Sequence, residues 1–219
     1  MHIYPSLIAA PLLRLESVIH ELDPFVDGYH LDIMDDHFVP NMTWGADFVH
    51  AIAQATGKRL WVHCMVDNPD VWISRLMLPP DSIISFHIEL NVDFSRIILR
   101  IKEKKWRASI VINPKTAPEK IFPYLELCDQ VLIMSVEPGF SGQAFLPKTV
   151  QKAAMLHQYK QEHQLQYTLG MDGGIGIENI ADICMHGVTD IAAAKAIFGQ
   201  SDYIRAVQKL RQVCGQVRK

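Results

Sequence analysis

The sequence predicts an α/β fold, a (β/α)₈ TIM barrel in which eight parallel strands alternate with helices. Eight short aliphatic and β-branched runs recur along the chain, and the longer segments between them carry apolar residues at helical spacing. The 219 residues leave about 27 for each strand-helix unit, at the compact end of this fold. With no break in composition, we expect a single barrel domain spanning residues 1–219.

The eight apolar runs give the expected strands in chain order. They cover residues 3–9, 29–35, 59–66, 82–89, 107–113, 130–136, 167–173 and 190–198. Among the connecting segments, residues 12–22, 147–164 and 177–186 have the clearest helical periodicity. A doubly wound open sheet is the alternative arrangement. It is disfavoured because the glycines at 170–176 do not fit the G-x-G-x-x-G frame of a dinucleotide site.

Composition and charge exclude several classes of function. Lysine and arginine number 21 against 24 acidic residues, and a net charge of −3 gives no attraction to nucleic acid or to acidic membranes. No apolar run is long enough for a membrane span, and the N-terminus lacks the basic region of a signal peptide. The four cysteines are widely spaced, so we expect reduced thiols in a cytoplasmic enzyme or small-molecule binding protein.

Ionisable residues lie where several strands are expected to end. Side chains two apart on a strand share a face, so His30 and Asp32 point together, and His63 occupies the corresponding face of the next strand. Asp172, at the end of the seventh run, is the natural fourth member. Two nitrogen and two oxygen ligands suit zinc, iron, manganese or cobalt, although each residue alone could equally cap or fill the barrel.

Five motifs, in order and spacing, resemble those of the ribulose-phosphate 3-epimerase family over essentially the whole chain. They are Pro5-Ser6, the run HLDIMDDHFVPN from His30 to Asn41, His63-Cys64-Met65-Val66, the run MSVEPGFSGQ from Met134 to Gln143, and Asp172-Gly173-Gly174.

This resemblance implies an isomerase that interconverts D-ribulose 5-phosphate and D-xylulose 5-phosphate in the pentose phosphate pathway. It implies one divalent metal ion held by His30, Asp32, His63 and Asp172, with Asp32 and Asp172 also acting as the acid-base pair. Inversion at C3 removes a proton from one face and returns one to the other, so two carboxylates must flank the reacting carbon. The metal would stabilise the enediolate as a Lewis acid.

The resemblance also implies the substrate contacts and the assembly. Relatives form homo-oligomers, so we expect one here. Ser6 and His63 are expected to contact the sugar, and Met34, Met65 and Met134 to form an apolar lining. The expected phosphate loops contain Gly139, Phe140, Ser141, Gly142, Gly173, Gly174, Ala194 and Lys195, together with the neighbouring Asp172.

Five positions depart from the family pattern. Ala194-Lys195 replaces a usual Gly-Ser: the alanine would be strained if it needs positive φ, and the lysine could bind phosphate. Asp36 replaces a usual glycine and is expected to tolerate a left-handed turn. Trp61 and Met171 replace other residues, and we expect neither to touch a ligand.

These departures leave three alternatives open. The chain could be a 3-epimerase of a hexulose 6-phosphate such as D-allulose 6-phosphate, which shares the motifs. It could be a non-catalytic sugar-phosphate-binding barrel, although two opposed carboxylates would serve no purpose there. It could also use Lys195 as a Schiff-base nucleophile.

Overall fold

The computed structural model describes residues 1–217, which form the predicted (β/α)₈ barrel. All strand pairs within the sheet are parallel, in the order β1-β8-β7-β6-β5-β4-β3-β2. A parallel bridge between Ser6 and His30 joins the first and second strands and closes the ring. The strands are β1 (His2–Pro5), β2 (Gly28–Met34), β3 (Arg59–Met65), β4 (Ile83–His87), β5 (Arg107–Ile112), β6 (Gln130–Met134), β7 (Thr168–Asp172) and β8 (Asp190–Ala193).

Helices cover the outside of the barrel in all but one of the strand connections. They are α1 (Leu15–Leu22), α2 (Ala46–Ala55), α3 (Pro69–Arg75), α4 (Phe94–Glu103), α5 (Val150–Glu162), α6 (Ile180–Met185), α7 (Lys195–Phe198) and α8 (Tyr203–Val217). Between β5 and β6 the chain forms a 3₁₀ helix, Pro118–Tyr124. Pro123 lies inside this segment and cannot donate a helical hydrogen bond. Within residues 1–217, no helix combines the length and apolar character that a bilayer span requires.

Two of the predicted strands are too long at their carboxyl ends. The first strand ends at Pro5, and Leu7–Ala9 forms a 3₁₀ turn. The eighth strand ends at Ala193, and Lys195–Phe198 is helical. Both segments are apolar and continue the apolar run of their strand, so periodicity alone does not reveal the change of conformation. The consequence is that the chain turns at the mouth of the barrel directly after β1 and again directly after β8.

The strand side chains alternate between two apolar layers, as the period-two pattern predicts. Leu31, Ile33 and Cys64 point outward into the large core that the helices cover. A smaller cluster fills the barrel interior and contains Tyr4, Trp61, Ile83, Val111, Leu132, Met134, Val136 and Ala192. The residues at 30, 32 and 63 therefore point inward, above this floor.

The expectation of four reduced thiols is wrong for one pair. Cys184 on α6 and Cys214 on α8 form a disulfide, which ties the C-terminal helix to the neighbouring helix of the barrel. The two cysteines are 30 residues apart, and spacing alone could not show that their helices pack together. Cys64 and Cys128 are buried free thiols.

Candidate active site

Four residues that the sequence predicts as metal ligands converge at the mouth of the barrel. His30 and Asp32 lie on β2, His63 on β3 and Asp172 at the end of β7, and one ligand atom from each lies within 4.8 Å of all the others. Asp32 is paired in register with His63 across β2 and β3, so parallel pairing brings them to the same level.

The contacts among these residues leave two imidazole nitrogens available. Asp32 accepts a hydrogen bond from Ser6 Oγ at 2.8 Å, and its other oxygen lies 3.3 Å from His63 Nδ1. Asp172 Oδ2 lies 3.8 Å from the same nitrogen. Among the described residues, His30 Nε2 and His63 Nδ1 are buried without a hydrogen-bond partner. Buried ring nitrogens normally have a hydrogen-bond partner. Two that lack one, beside two carboxylates, fit a site for a divalent transition metal.

The two carboxylates have opposite electrostatic tendencies. Burial tends to raise the pKa of Asp32, but His30 and His63 beside it outweigh this and hold the pKa below its ordinary value. Burial raises the pKa of Asp172 to about 7, and the neighbouring charge of Asp32 adds to the rise against the opposing effect of His30. Carboxyl groups pushed apart in this way can serve as one base and one acid.

Trp61 contacts one of the four residues, so the expectation that it touches none of them is wrong. Its ring meets the His30 ring edge to face, with centroids 5.0 Å apart, and its indole N–H donates to Ser85 Oγ at 2.7 Å. A Cβ built on Gly170 would lie 2.8 Å from the indole, so the glycine makes room for it. Register predicts this contact, because His30 and Trp61 are direct neighbours across β2 and β3.

His87 and Glu89 lie at the end of the fourth apolar run, residues 82–89, and none of the sequence motifs gives them a role. The structure places His87 directly behind His63, with their Nε2 atoms 2.8 Å apart, and Glu89 beside His87. Burial lowers the pKa of His87 to about 4, despite the opposing influence of Glu89. The signal was present in the sequence, since His87-x-Glu89 repeats the spacing of His30-x-Asp32.

A cavity of about 1290 Å³ opens above the four residues. His63 does not line it, but its Nδ1 lies 3.3 Å from Asp32 and 3.8 Å from Asp172, which do. The contact of His63 with the sugar stays a prediction. The other residues predicted to contact substrate do line the cavity. They are Ser6, Met34, Met65, Met134, Gly139, Phe140, Ser141, Gly142, Asp172, Gly173, Gly174, Ala194 and Lys195.

The loops beside the cavity depend on glycine at one point in particular. Gly174 has φ +61°, and a Cβ there would lie 2.6 Å from the backbone nitrogen of Phe145. Ala194 has φ −100°, so the strain considered for an alanine at positive φ does not arise. Asp36 has φ +59°, which confirms the left-handed turn expected for it. Lys195 is exposed at the rim, whereas a Schiff-base lysine is usually desolvated.

Comparison with known proteins bears on what this arrangement does. Residues 2–198 match the model of the ribulose-phosphate 3 epimerase family. The chain belongs to the ribulose-phosphate 3-epimerase family. It is 35% identical over 210 residues to the ribulose-phosphate 3-epimerase of Synechocystis, covering 94% of this chain and 91% of the relative. It is 33% identical over 217 residues to that of Escherichia coli K12, covering 98% and 96%.

Membership in the ribulose-phosphate 3-epimerase family confirms that the chain is an enzyme of the isomerase class. The family name is that of an epimerase, so the non-catalytic reading is not supported. Solved structures of lower identity share the barrel alone. KGPDC from Streptococcus mutans in complex with D-R5P superposes with a TM-score of 0.74 at 9% identity, covering 100% of this chain and 99% of the other. The 3-hexulose-6-phosphate synthase of Salmonella typhimurium gives 0.66 at 14%, covering 99% and 100%.

Proposed function

We propose that the protein is a metal-dependent 3-epimerase that interconverts D-ribulose 5-phosphate and D-xylulose 5-phosphate. The observation that carries the proposal is the cluster of Asp32 and Asp172 with two buried imidazoles at the floor of a cavity. The relatives' name, ribulose-phosphate 3-epimerase, gives the substrate and the reacting carbon. Inversion of D-ribulose 5-phosphate at C3 yields D-xylulose 5-phosphate.

The two aspartates would perform the proton transfers. One carboxylate removes the proton at C3, and the other donates a proton to the opposite face, which inverts the carbon. The Ser6 hydroxyl, 2.8 Å from Asp32, holds that carboxylate in one orientation. Asp172 is fixed by its place at the end of β7, where it pairs in register with Met134.

A divalent ion fits the donor set of His30, Asp32, His63 and Asp172. When bound, it supplies Lewis-acid stabilisation of the negative charge that develops on the substrate oxygens. Met34, Met65 and Met134 line the adjacent wall, and their apolar side chains exclude water from the reacting carbon. The donor set accepts zinc, iron, manganese or cobalt.

The phosphate of the substrate would bind at the glycine-rich loops that line the cavity. The loops with Gly139 and Gly142, and with Gly173 and Gly174, present backbone that an anion can approach closely. Lys195 lines the same cavity and brings a positive charge that the usual Gly-Ser sequence lacks.

We further infer a cytoplasmic homo-oligomer acting in the pentose phosphate pathway. Leu12 and Leu13, just before α1, are 51% and 102% exposed, and such side chains are commonly covered by a second copy of the chain. Light scattering of the purified protein tests the assembly, and cell fractionation tests the location.

The experiment that tests the activity follows the C3 hydrogen. The metal-loaded protein is incubated with D-ribulose 5-phosphate in deuterated water, and the sugar is examined by NMR. Deuterium should enter C3 as D-xylulose 5-phosphate forms. No incorporation with any of the four metals would refute the proposal, and a higher kcat/KM for D-allulose 6-phosphate would reassign the substrate.

A further inference from the structure

Behind the proposed metal ligands, three side chains form a line that leads away from the cavity. His63 and His87 meet with 2.8 Å between their Nε2 atoms, and His87 Nδ1 lies 3.2 Å from Glu89 Oε2. Both imidazoles are fully buried. No step of the proposed reaction uses His87 or Glu89, so their arrangement needs a separate explanation.

The two imidazoles share a single proton along their contact. Their Nε2 atoms are 2.8 Å apart, whereas their ring centroids are 5.0 Å apart and their planes differ by only 24°. The rings therefore meet edge to edge through these two nitrogens. The lone pair of one Nε2 then points at the other Nε2. Two bare nitrogens would repel and two protonated ones would clash, so one must donate and the other accept.

Glu89 decides which nitrogen donates. Its Oε1 accepts from the Asn113 backbone N–H at 3.0 Å and from the Thr116 hydroxyl, which leaves Oε2 to accept from His87 Nδ1–H. Lys152 braces this loop by donating to the carbonyl oxygens of Asn113 and Thr116 at 2.7 and 2.5 Å. The carboxylate is therefore held as an acceptor on both oxygens.

The position of each proton follows from this constraint. With its proton on Nδ1, His87 has a bare Nε2 that accepts from His63 Nε2–H. His63 Nδ1 is then bare, and this is the nitrogen that lies 3.3 Å from Asp32 and has no hydrogen-bond partner among residues 1–217. An imidazole nitrogen must be unprotonated to bind a metal ion.

We propose that Glu89 and His87 are positioning residues that hold His63 in the tautomer whose bare Nδ1 faces Asp32 and Asp172. The proposal deepens the proposed function and rests on its metal site. A partner that fixes the tautomer of a ligating histidine raises its basicity, and loss of such a partner typically weakens metal binding 10- to 100-fold.

Glu89→Gln is the sharpest variant, because it reverses the direction of the hydrogen bonds from residue 89 through His87 to His63 and hardly changes the shape of the side chain. The glutamine carbonyl must face the Asn113 N–H, which puts its NH₂ group against His87 Nδ1. His87 then carries its proton on Nε2, and His63 Nε2 must accept it. The proton of His63 moves to Nδ1, the atom that would bind the metal.

The experiment measures how well zinc is retained. Purified zinc-loaded wild type and Glu89→Gln are titrated with a chromophoric chelator, and circular dichroism verifies their folding. We expect zinc to bind Glu89→Gln at least about tenfold more weakly. Thr116→Val is the matched control, because it removes one donor from the same carboxylate without reversing the line, and it should remain within about threefold of wild type.

Nitrogen NMR of the histidines in the wild-type protein gives a second readout that does not depend on any variant. We expect the proton of His63 on Nε2 and that of His87 on Nδ1. The opposite tautomers, or equal zinc retention by wild type and Glu89→Gln, would overturn the inference. If the wild type retained no zinc and no other divalent metal, the metal of the proposed function would fail, and the tautomers would still decide the role of Glu89.

Discussion

Trp61 lies edge to face against His30, with 5.0 Å between ring centroids and 88° between ring planes. The indole is fully buried, and it also packs edge to face against Tyr4, with ring centroids 5.1 Å apart. Its N–H donates to Ser85, so both the position and the rotation of the ring are fixed. The floor of the barrel thus supports one of the proposed metal ligands directly.

Replacing Trp61 with alanine should destabilise the protein strongly. Removal of this buried indole leaves a cavity under His30, and such changes typically cost about 3–5 kcal/mol in the free energy of unfolding. Urea denaturation measures the loss. Trp72→Ala is the control, since Trp72 on α3 is only half-buried and should cost less. Equal losses in the two variants would show that the floor does not depend on the indole.

The sequence was sufficient to predict the barrel and the four clustered residues, because strand parity and parallel register are local rules. His30 and Asp32 share a face, and the ends of parallel strands meet at one mouth. The disulfide between Cys184 and Cys214 could not be predicted, because it depends on how α6 packs against α8.

The line from His63 to Glu89 could be predicted from the sequence only in part. His87-x-Glu89 has the spacing that puts both side chains on one face of a strand. Only the folded structure shows that the Nε2 atoms of His63 and His87 meet at 2.8 Å. The conformation of Ala194 is a similar case. Its negative φ removes the strain that the comparison with Gly-Ser suggested.

Zinc binding to the metal-free protein should strengthen as pH rises. Burial and the charge of Asp32 raise the pKa of Asp172 to about 7, so below that pH a proton occupies this carboxyl and must leave before a metal binds. The proton on Asp172 contributes a fall in affinity of about tenfold per pH unit below pH 7, and this contribution levels off above it. Calorimetry between pH 5.5 and about 8.5 measures the dependence. Asp172→Asn has no proton to lose here, and an unchanged slope in that variant would assign the proton elsewhere.

Removal of the Lys195 charge should weaken substrate binding more than turnover. Lys195→Met keeps most of the length of the side chain but loses the cation at the rim of the cavity. A charged hydrogen bond to phosphate is worth about 1.5–3 kcal/mol, so KM should rise about tenfold or more with little change in kcat. Steady-state kinetics at low and high salt check this, with the exposed Lys120→Met as control. An unchanged KM would mean that Lys195 points to solvent during catalysis.

Asp32→Asn and Asp172→Asn should each nearly abolish epimerisation. A positioned acid-base group typically contributes about 100-fold or more, and inversion at C3 requires both carboxylates. The rates are measured on protein whose zinc content has been determined, so that loss of metal is separated from loss of the proton-transfer group. Asp36→Asn is the matched control, because Asp36 is exposed with φ +59° and asparagine tolerates that conformation. If Asp32→Asn or Asp172→Asn kept more than about a tenth of the wild-type rate, the assignment of two proton-transferring carboxylates would be wrong.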